Sequence, residues 1–344
     1  MLGKLILSFL PRASTPSGEP SSSENSPLPA ATAPSEASPS PGASLPPGAP
    51  QKPKVSGALK EKLAHIVFFI AASICIVAVV LICFFLFANG VPAIVQIGLP
   101  EFLTGDVWRP SSGEYGIFPM ILGSLYVTAG AIVLGVPIGI LCAIYLSTFA
   151  SRRSVRLVQP GIELLAGIPS VVYGFFGLVV LVPLIRVFFD SFFGMHIQGM
   201  SILTAAIILA IMILPTIITI SKAAIDAVPE SYYEGALALG AEHERCVFRV
   251  MVPAALSGIM AAIILGVGRA IGETMAVVMV VGNQTHIPDS LLDGARTLTG
   301  NIVLEMGYAA DLHREALIAT AVVLFVFILL INLLFNVVKR GAKI

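Results

Sequence analysis

The 344-residue sequence predicts an all-α membrane protein, six transmembrane helices behind a disordered N-terminal tail. Three observations carry that reading. The chain is 56% hydrophobic and only 12% charged, against about 25% charged in soluble domains. Six apolar runs are long enough to cross a hydrocarbon core: 64–88, 120–148, 162–188, 201–221, 254–282 and 315–338. The basic residues alternate with those runs.

Lys4, Arg12, Lys52, Lys54, Lys60 and Lys62 precede the first run. Arg152, Arg153 and Arg156 follow the second, Lys222, Arg245 and Arg249 the fourth, and Lys339, Arg340 and Lys343 the sixth. Arg109, Arg186, Arg296 and Arg314 fall on the opposite side. Basic residues are retained in the cytoplasm, so both termini are expected there in a multi-pass membrane protein.

Residues 1–55 form the tail. From 13 onward they are rich in Pro, Ser, Ala and Gly, with too few large apolar side chains to offset the entropy of ordering. The short apolar run Leu5–Leu10 lacks the length and cleavage site of a signal peptide. Residues 56–118 hold the first span and an external segment with the only tryptophan, Trp108, suited to an interfacial anchor. Residues 119–344 hold the other five spans. The third carries Pro169, Gly174 and Gly177, and the fourth carries Pro215. Interrupted helices at membrane depth mark either a transport path or a simple kink. The loop 222–252 contains a short helix between the start signals Asp226 and Pro229 and the stop signal Gly240. The external segment 284–314 is polar, and its His286 and His313 read as solvated.

The fifth span holds the most informative pair. Arg269 and Glu273 are the only charged residues between Pro253 and Asn283. A charge at bilayer depth costs at least about 2.5–3.5 kcal/mol. Four residues apart on a continuous helix, the two would share a face and reach each other. Ala262, Gly266 and Ala276 share that face and leave room for a ligand or a second backbone. Gly268 and Gly272 form a GxxxG close-packing motif. Arg presents a planar fork matched to oxyanions. Glu273 would neutralise Arg269 between transport events, and a static salt bridge between helices is the alternative.

Several functions are disfavoured. Zero net charge gives no reason to expect a nucleic-acid partner. No GxxxxGK[ST], GxSxG or HExxH motif occurs, so ATP binding and hydrolytic catalysis in this chain are not expected. A membrane-embedded enzyme would need a better base than a Glu beside an Arg. Cys75, Cys83, Cys142 and Cys246 lack metal-site or disulfide spacing, and no metal or cofactor is expected.

Glu234-Gly235-Ala236, then Gly240, then Val250-Met251-Val252-Pro253 resembles the Glu-Ala-Ala…Gly…Ile-x-Leu-Pro signature of type I ABC importer permeases. Gly235 stands for the first Ala, and the two Val stand for Ile and Leu. The resemblance implies a MetI-like fold and makes this loop a coupling helix, with Glu234, Ala236 and Gly240 contacting a separate ATPase. An ATP-independent channel would have no use for such a helix.

Gly268-Arg269-Ala270-Ile271-Gly272-Glu273-Thr274-Met275-Ala276, followed by Gly282-Asn283, is similar to phosphate-specific permeases. So are Gly116–Pro119 with Gly123-Ser124-Leu125, Gly167–Gly174, and Leu312–Leu317. The external tryptophan segment points to the PstC type. The resemblance implies a PstA-type sister permease, a PstB-type ATPase dimer that binds the ATP, and a PstS-type external phosphate-binding protein. Arg269 and Glu273 are expected on the translocation pathway, with Thr274, Ser170 and Asn283 as further candidates beside them. Another oxyanion, such as molybdate, sulfate or a phosphonate, is the rival substrate.

Overall fold

The computed structural model describes residues 55–341, so the expected disordered tail lies outside the described residues except for Val55. Helix α1 (Val55–Ile97) runs for 43 residues, about 65 Å at 1.5 Å per residue. It is long and apolar enough to cross a membrane, and its most apolar stretch is not buried by the described residues. Only its last turns pack, where Phe87 meets Phe325 edge to face with ring centroids 5.9 Å apart and Ala93 is buried.

A short helix α2 (Leu99–Thr104) follows. Then come two residues each of β1 (Trp108–Arg109) and β2 (Glu114–Tyr115), paired antiparallel with Trp108 opposite Tyr115. Helix α3 (Phe118–Ile144) opens on Pro119 and ends in a π-helical turn, Tyr145–Phe149.

The third span differs from its expected limits. Residues 162–167 belong to α4 (Arg152–Gly167), an amphipathic helix capped by Ser151, whose Oγ accepts from the Ser154 amide. Pro169 is the physical reason for the break. It disfavours helical geometry in the residue before it, and Ile168 is extended at φ −70°, ψ 127°. The span itself is α5 (Ser170–Phe176), a π-helical turn at Gly177–Leu181, and α6 (Val182–Phe193).

Helix α7 (Ile202–Asp226) is the most buried of the spans. Ser201 caps it through Thr204. It packs between α3 and α11 (Leu256–Gly272). Gly266 of α11 lies so close to α7 that a Cβ there would sit 2.9 Å from Ile217 Cγ1. Val127, Leu209, Ile213, Ile217, Ala270 and Val277 fill the core around this contact.

Between α7 and α11 come α8 (Glu230–Ala238), α9 (His243–Cys246), a π-helical turn at Val247–Met251, and α10 (Val252–Ala254). The segments on either side of Ala255 bend by 67°. The fifth span is therefore not one helix over 254–282. It also breaks after Gly272, and α12 (Met275–Val280) completes it. Helix α13 (Leu298–Glu305) precedes the last span, α14 (Asp311–Gly341). Five helices are long and apolar enough to cross a membrane, or six if the bent fifth is counted.

Candidate functional site

Two helix breaks define the site. One separates α4 from α5 at Ile168–Pro169, and the other separates α11 from α12 at Glu273–Thr274. The far halves pack on each other. A Cβ on Gly174 of α5 would lie 2.9 Å from Ala276 Cα of α12, so this close approach needs the glycine.

Backbone groups freed by a break at membrane depth need partners. Glu273 supplies one, its Oε1 accepting from the Ala276 amide at 3.2 Å. Thr299 of α13 supplies another, its hydroxyl donating to the Glu273 carbonyl at 3.3 Å.

This geometry corrects the expected Arg269–Glu273 pair. Glu273 is extended at φ −71°, ψ 130°, and its carboxylate turns to α12. Arg269 makes no ion pair among the described residues. It lies in the last turn of α11, where the negative end of a helix dipole favours a cation. Its Nη1 donates to Thr216 Oγ1 of α7 at 3.4 Å. Tyr173 of α5 lies within electrostatic reach of the guanidinium.

The face around Arg269 also differs from expectation. Ala262, Gly266 and Ala276 are buried within the chain, so they leave no room for a ligand. The exposed stripe is Ser257, Ala261, Leu265, Arg269 and Gly272, spaced as one helix face. Cβ atoms on Gly268 and Gly272 would meet nothing within 4 Å, so GxxxG packs against nothing among the described residues.

The other three expected pathway residues separate. Thr274 sits at the second break, its hydroxyl donating to the Gly272 carbonyl at 3.3 Å. Ser170 opens α5 at the first break. Asn283 lies farther on, at φ 52°, its Nδ2 donating to the Val278 carbonyl at 2.7 Å. It closes the end of α12 rather than meeting Arg269.

At the opposite end of α11, α8 carries no buried residue. Asp226 does not start it as expected. That residue ends α7 and pairs with Lys222 at 2.6 Å, while Pro229 occupies the N-cap. Gly240 does stop it, at φ +83°. Its amide bonds the Leu237 carbonyl and the Ala241 amide bonds that of Ala236, which is a Schellman closure. Glu234 is exposed and Ala236 half-buried, and Leu239 is 91% exposed.

One cluster escaped the sequence reading. Glu305, 7% exposed, accepts from Trp108 Nε1 at 2.9 Å and from Arg296 Nη1 at 2.5 Å, and its Oε2 lies 2.9 Å from His313 Nε2. Burial pushes its carboxyl up, but bonds from Trp108, His313 and Arg296 outweigh this and hold it below the usual carboxylate range. Trp108 is thus a buried donor and not an interfacial anchor, and His313 is bonded and not solvated. Gly123 and Ser124 back the cluster: the Leu298 amide donates to Ser124 Oγ at 2.9 Å. Among the described residues no three His, Cys, Asp or Glu converge as a metal would require.

Residues 135–344 fit the family described as binding-protein-dependent transport system inner membrane component. The chain is 42% identical to the probable ABC transporter permease protein YqgH of Bacillus subtilis, over 80% of this chain and 91% of that protein. It is 37% identical to the phosphate transport system permease protein PstC of Mesorhizobium japonicum, over 80% and 88%. Among solved structures, a bacterial alginate ABC transporter aligns with a TM-score of 0.56 at 16% identity, over 84% of this chain and 99% of that one. An inward-facing MetNI methionine transporter aligns at 0.50 and 20%, over 69% and 100%. With more than half its length matched by the family model, the chain belongs to the binding-protein-dependent transport system inner membrane components.

Proposed function

We propose that this chain is the PstC-type permease subunit of an ATP-driven phosphate importer and forms half of its translocation pathway. The carrying observation is Arg269, without an ion pair and exposed on a span face that the described residues do not cover. Lipid is a costly neighbour for such a charge. A PstA-type sister permease covering the stripe of Ala261, Leu265 and Gly272 would turn that face into a polar passage. The planar guanidinium at its wall suits a tetrahedral oxyanion.

The exposed helix α8, with Glu234, Ala236, Gly240 and Leu239, is the docking element for a PstB-type ATPase dimer that binds the ATP. A PstS-type protein delivers phosphate at the end bearing Trp108 and Glu305. Both termini face the cytoplasm of the bacterial inner membrane, as the basic residues beside α4 and α8 favour. The curated PstC relatives, 32–37% identical to this chain, support phosphate over other oxyanions.

Reconstitution tests the reading. Liposomes holding this chain with its sister permease and ATPase are expected to take up radiolabelled phosphate only with ATP and the binding protein present. Uptake independent of ATP would exclude the importer.

A further inference from the structure

Beside the second break Arg269 of α11 donates to Thr216 of α7, and Tyr173 of α5 lies within electrostatic range of the same guanidinium. Tyr173 is committed, its hydroxyl donating to the Leu165 carbonyl at 2.7 Å. Thr216 is not. Its oxygen accepts from Arg269, and its own proton has no acceptor among the described residues. A helical threonine ordinarily bonds back to a carbonyl one turn earlier, as Thr320 does to Ala316 at 2.9 Å. Thr216 makes no such bond.

The register that places Thr216 against Arg269 is built in. Gly266, three residues before Arg269, packs on Ile217, the neighbour of Thr216, where a Cβ would lie 2.9 Å from Ile217 Cγ1. Beside it Pro215 has no amide to give, so the Ile211 carbonyl loses its helical donor. Two donors thus converge with capacity unused: the remaining guanidinium N–H groups and the Thr216 O–H. At 3.4 Å their mutual bond is long for N–H···O, so it orients the guanidinium without saturating it.

We propose that Thr216 is a second oxyanion-binding group of the passage, an assignment that rests on the reading of Arg269 above. In the empty state its oxygen aims the guanidinium. When an oxyanion arrives, Arg269 donates to it through its fork, and the Thr216 hydroxyl donates its own proton to a further oxygen of the same anion. The guanidinium supplies charge, and the hydroxyl selects for an acceptor-rich tetrahedral ligand.

The test uses the full complex in liposomes with liganded binding protein, comparing Thr216→Val, Thr216→Ala, Thr216→Ser and Arg269→Ala. Co-purification with the ATPase and sister permease confirms assembly. Val and Ala lack the hydroxyl and are expected to lower phosphate uptake about tenfold, and Ser to restore it to within about twofold. Undiminished uptake by Thr216→Val and Thr216→Ala, with Arg269→Ala inactive, overturns the role of Thr216 and leaves that of Arg269 standing. Equal loss in Ser and Val also overturns it, because the hydroxyl would then not be the operative group. Undiminished uptake in both Thr216→Val and Arg269→Ala overturns the passage reading itself.

Discussion

Trp108 and Glu305 lie 197 residues apart in sequence and are joined by a 2.9 Å hydrogen bond from the indole N–H to the carboxylate. That bond ties the segment before α3 to the end of α13. Arg296 and His313 complete the carboxylate's shell, so one buried acid holds together three stretches of chain at one end of the bundle.

Removing Glu305 leaves Arg296, whose side chain is only 15% exposed, without its counter-ion. Losing one partner of a buried pair costs about 3–5 kcal/mol. Thermal unfolding in detergent is expected to show a large fall for Glu305→Ala. Trp108→Phe loses one bond to a charged acceptor and is expected to cost about 1.5–3 kcal/mol. Parent-like unfolding of both variants would mean that the cluster does not stabilise this end.

The same acid gives a pH dependence. Its folded pKa lies below the ordinary value of 4.5. Its stabilisation is therefore full above that ordinary value and is lost as pH falls through the lower folded value. The gap in apparent Tm between parent and Glu305→Gln is expected to be widest near neutral pH. It should narrow only under acid conditions below pH 4.5. A gap unchanged from pH 7 through strong acid would contradict this.

The two glycines of the α8 region should respond in opposite ways. Gly240 sits at φ +83°, where a Cβ costs roughly 1–2 kcal/mol, so Gly240→Ala should loosen the end of α8 and weaken ATPase co-purification. Gly235 is helical with open space around it. Gly235→Ala should gain up to about 1 kcal/mol of helix propensity and leave co-purification intact or improved. Comparing the two by pull-down separates backbone conformation from contact.

At Gly174 the constraint is contact alone. A Cβ there would lie 2.9 Å from Ala276 Cα, which is backbone that cannot swing aside. Gly174→Val is expected to push α5 from α12 and abolish uptake, with a destabilisation of roughly 1–3 kcal/mol for overpacking. Uptake at the parental rate would show that the two broken helices need not touch.

Six spans were legible because apolar length is a local property of the chain. The break at Ile168 was half-legible: Pro169 announced an interruption, but the apolar run on its near side concealed that 162–167 belong to the amphipathic α4. The break after Gly272 carried no such signal. An i, i+4 spacing there suggested an ion pair, whereas Glu273 serves as a side-chain acceptor for α12. Thr216 reaches Arg269 from another helix, and Trp108 reaches Glu305 across most of the chain. Such contacts depend on helix packing, which single-sequence periodicity does not encode. Gly240 was read correctly because its left-handed conformation is a local demand.

The central claim is that Arg269 binds the transported oxyanion. The direct measurement is ATP-driven phosphate uptake by assembled complexes carrying Arg269→Lys and Arg269→Ala. A passage read by the guanidinium fork requires Lys, which keeps the charge but loses the two parallel bonds, to reduce uptake about tenfold or more, and Ala to abolish it, with both complexes still assembling. Parental uptake in Arg269→Lys would contradict bidentate recognition, and parental uptake in Arg269→Ala would remove Arg269 from the pathway.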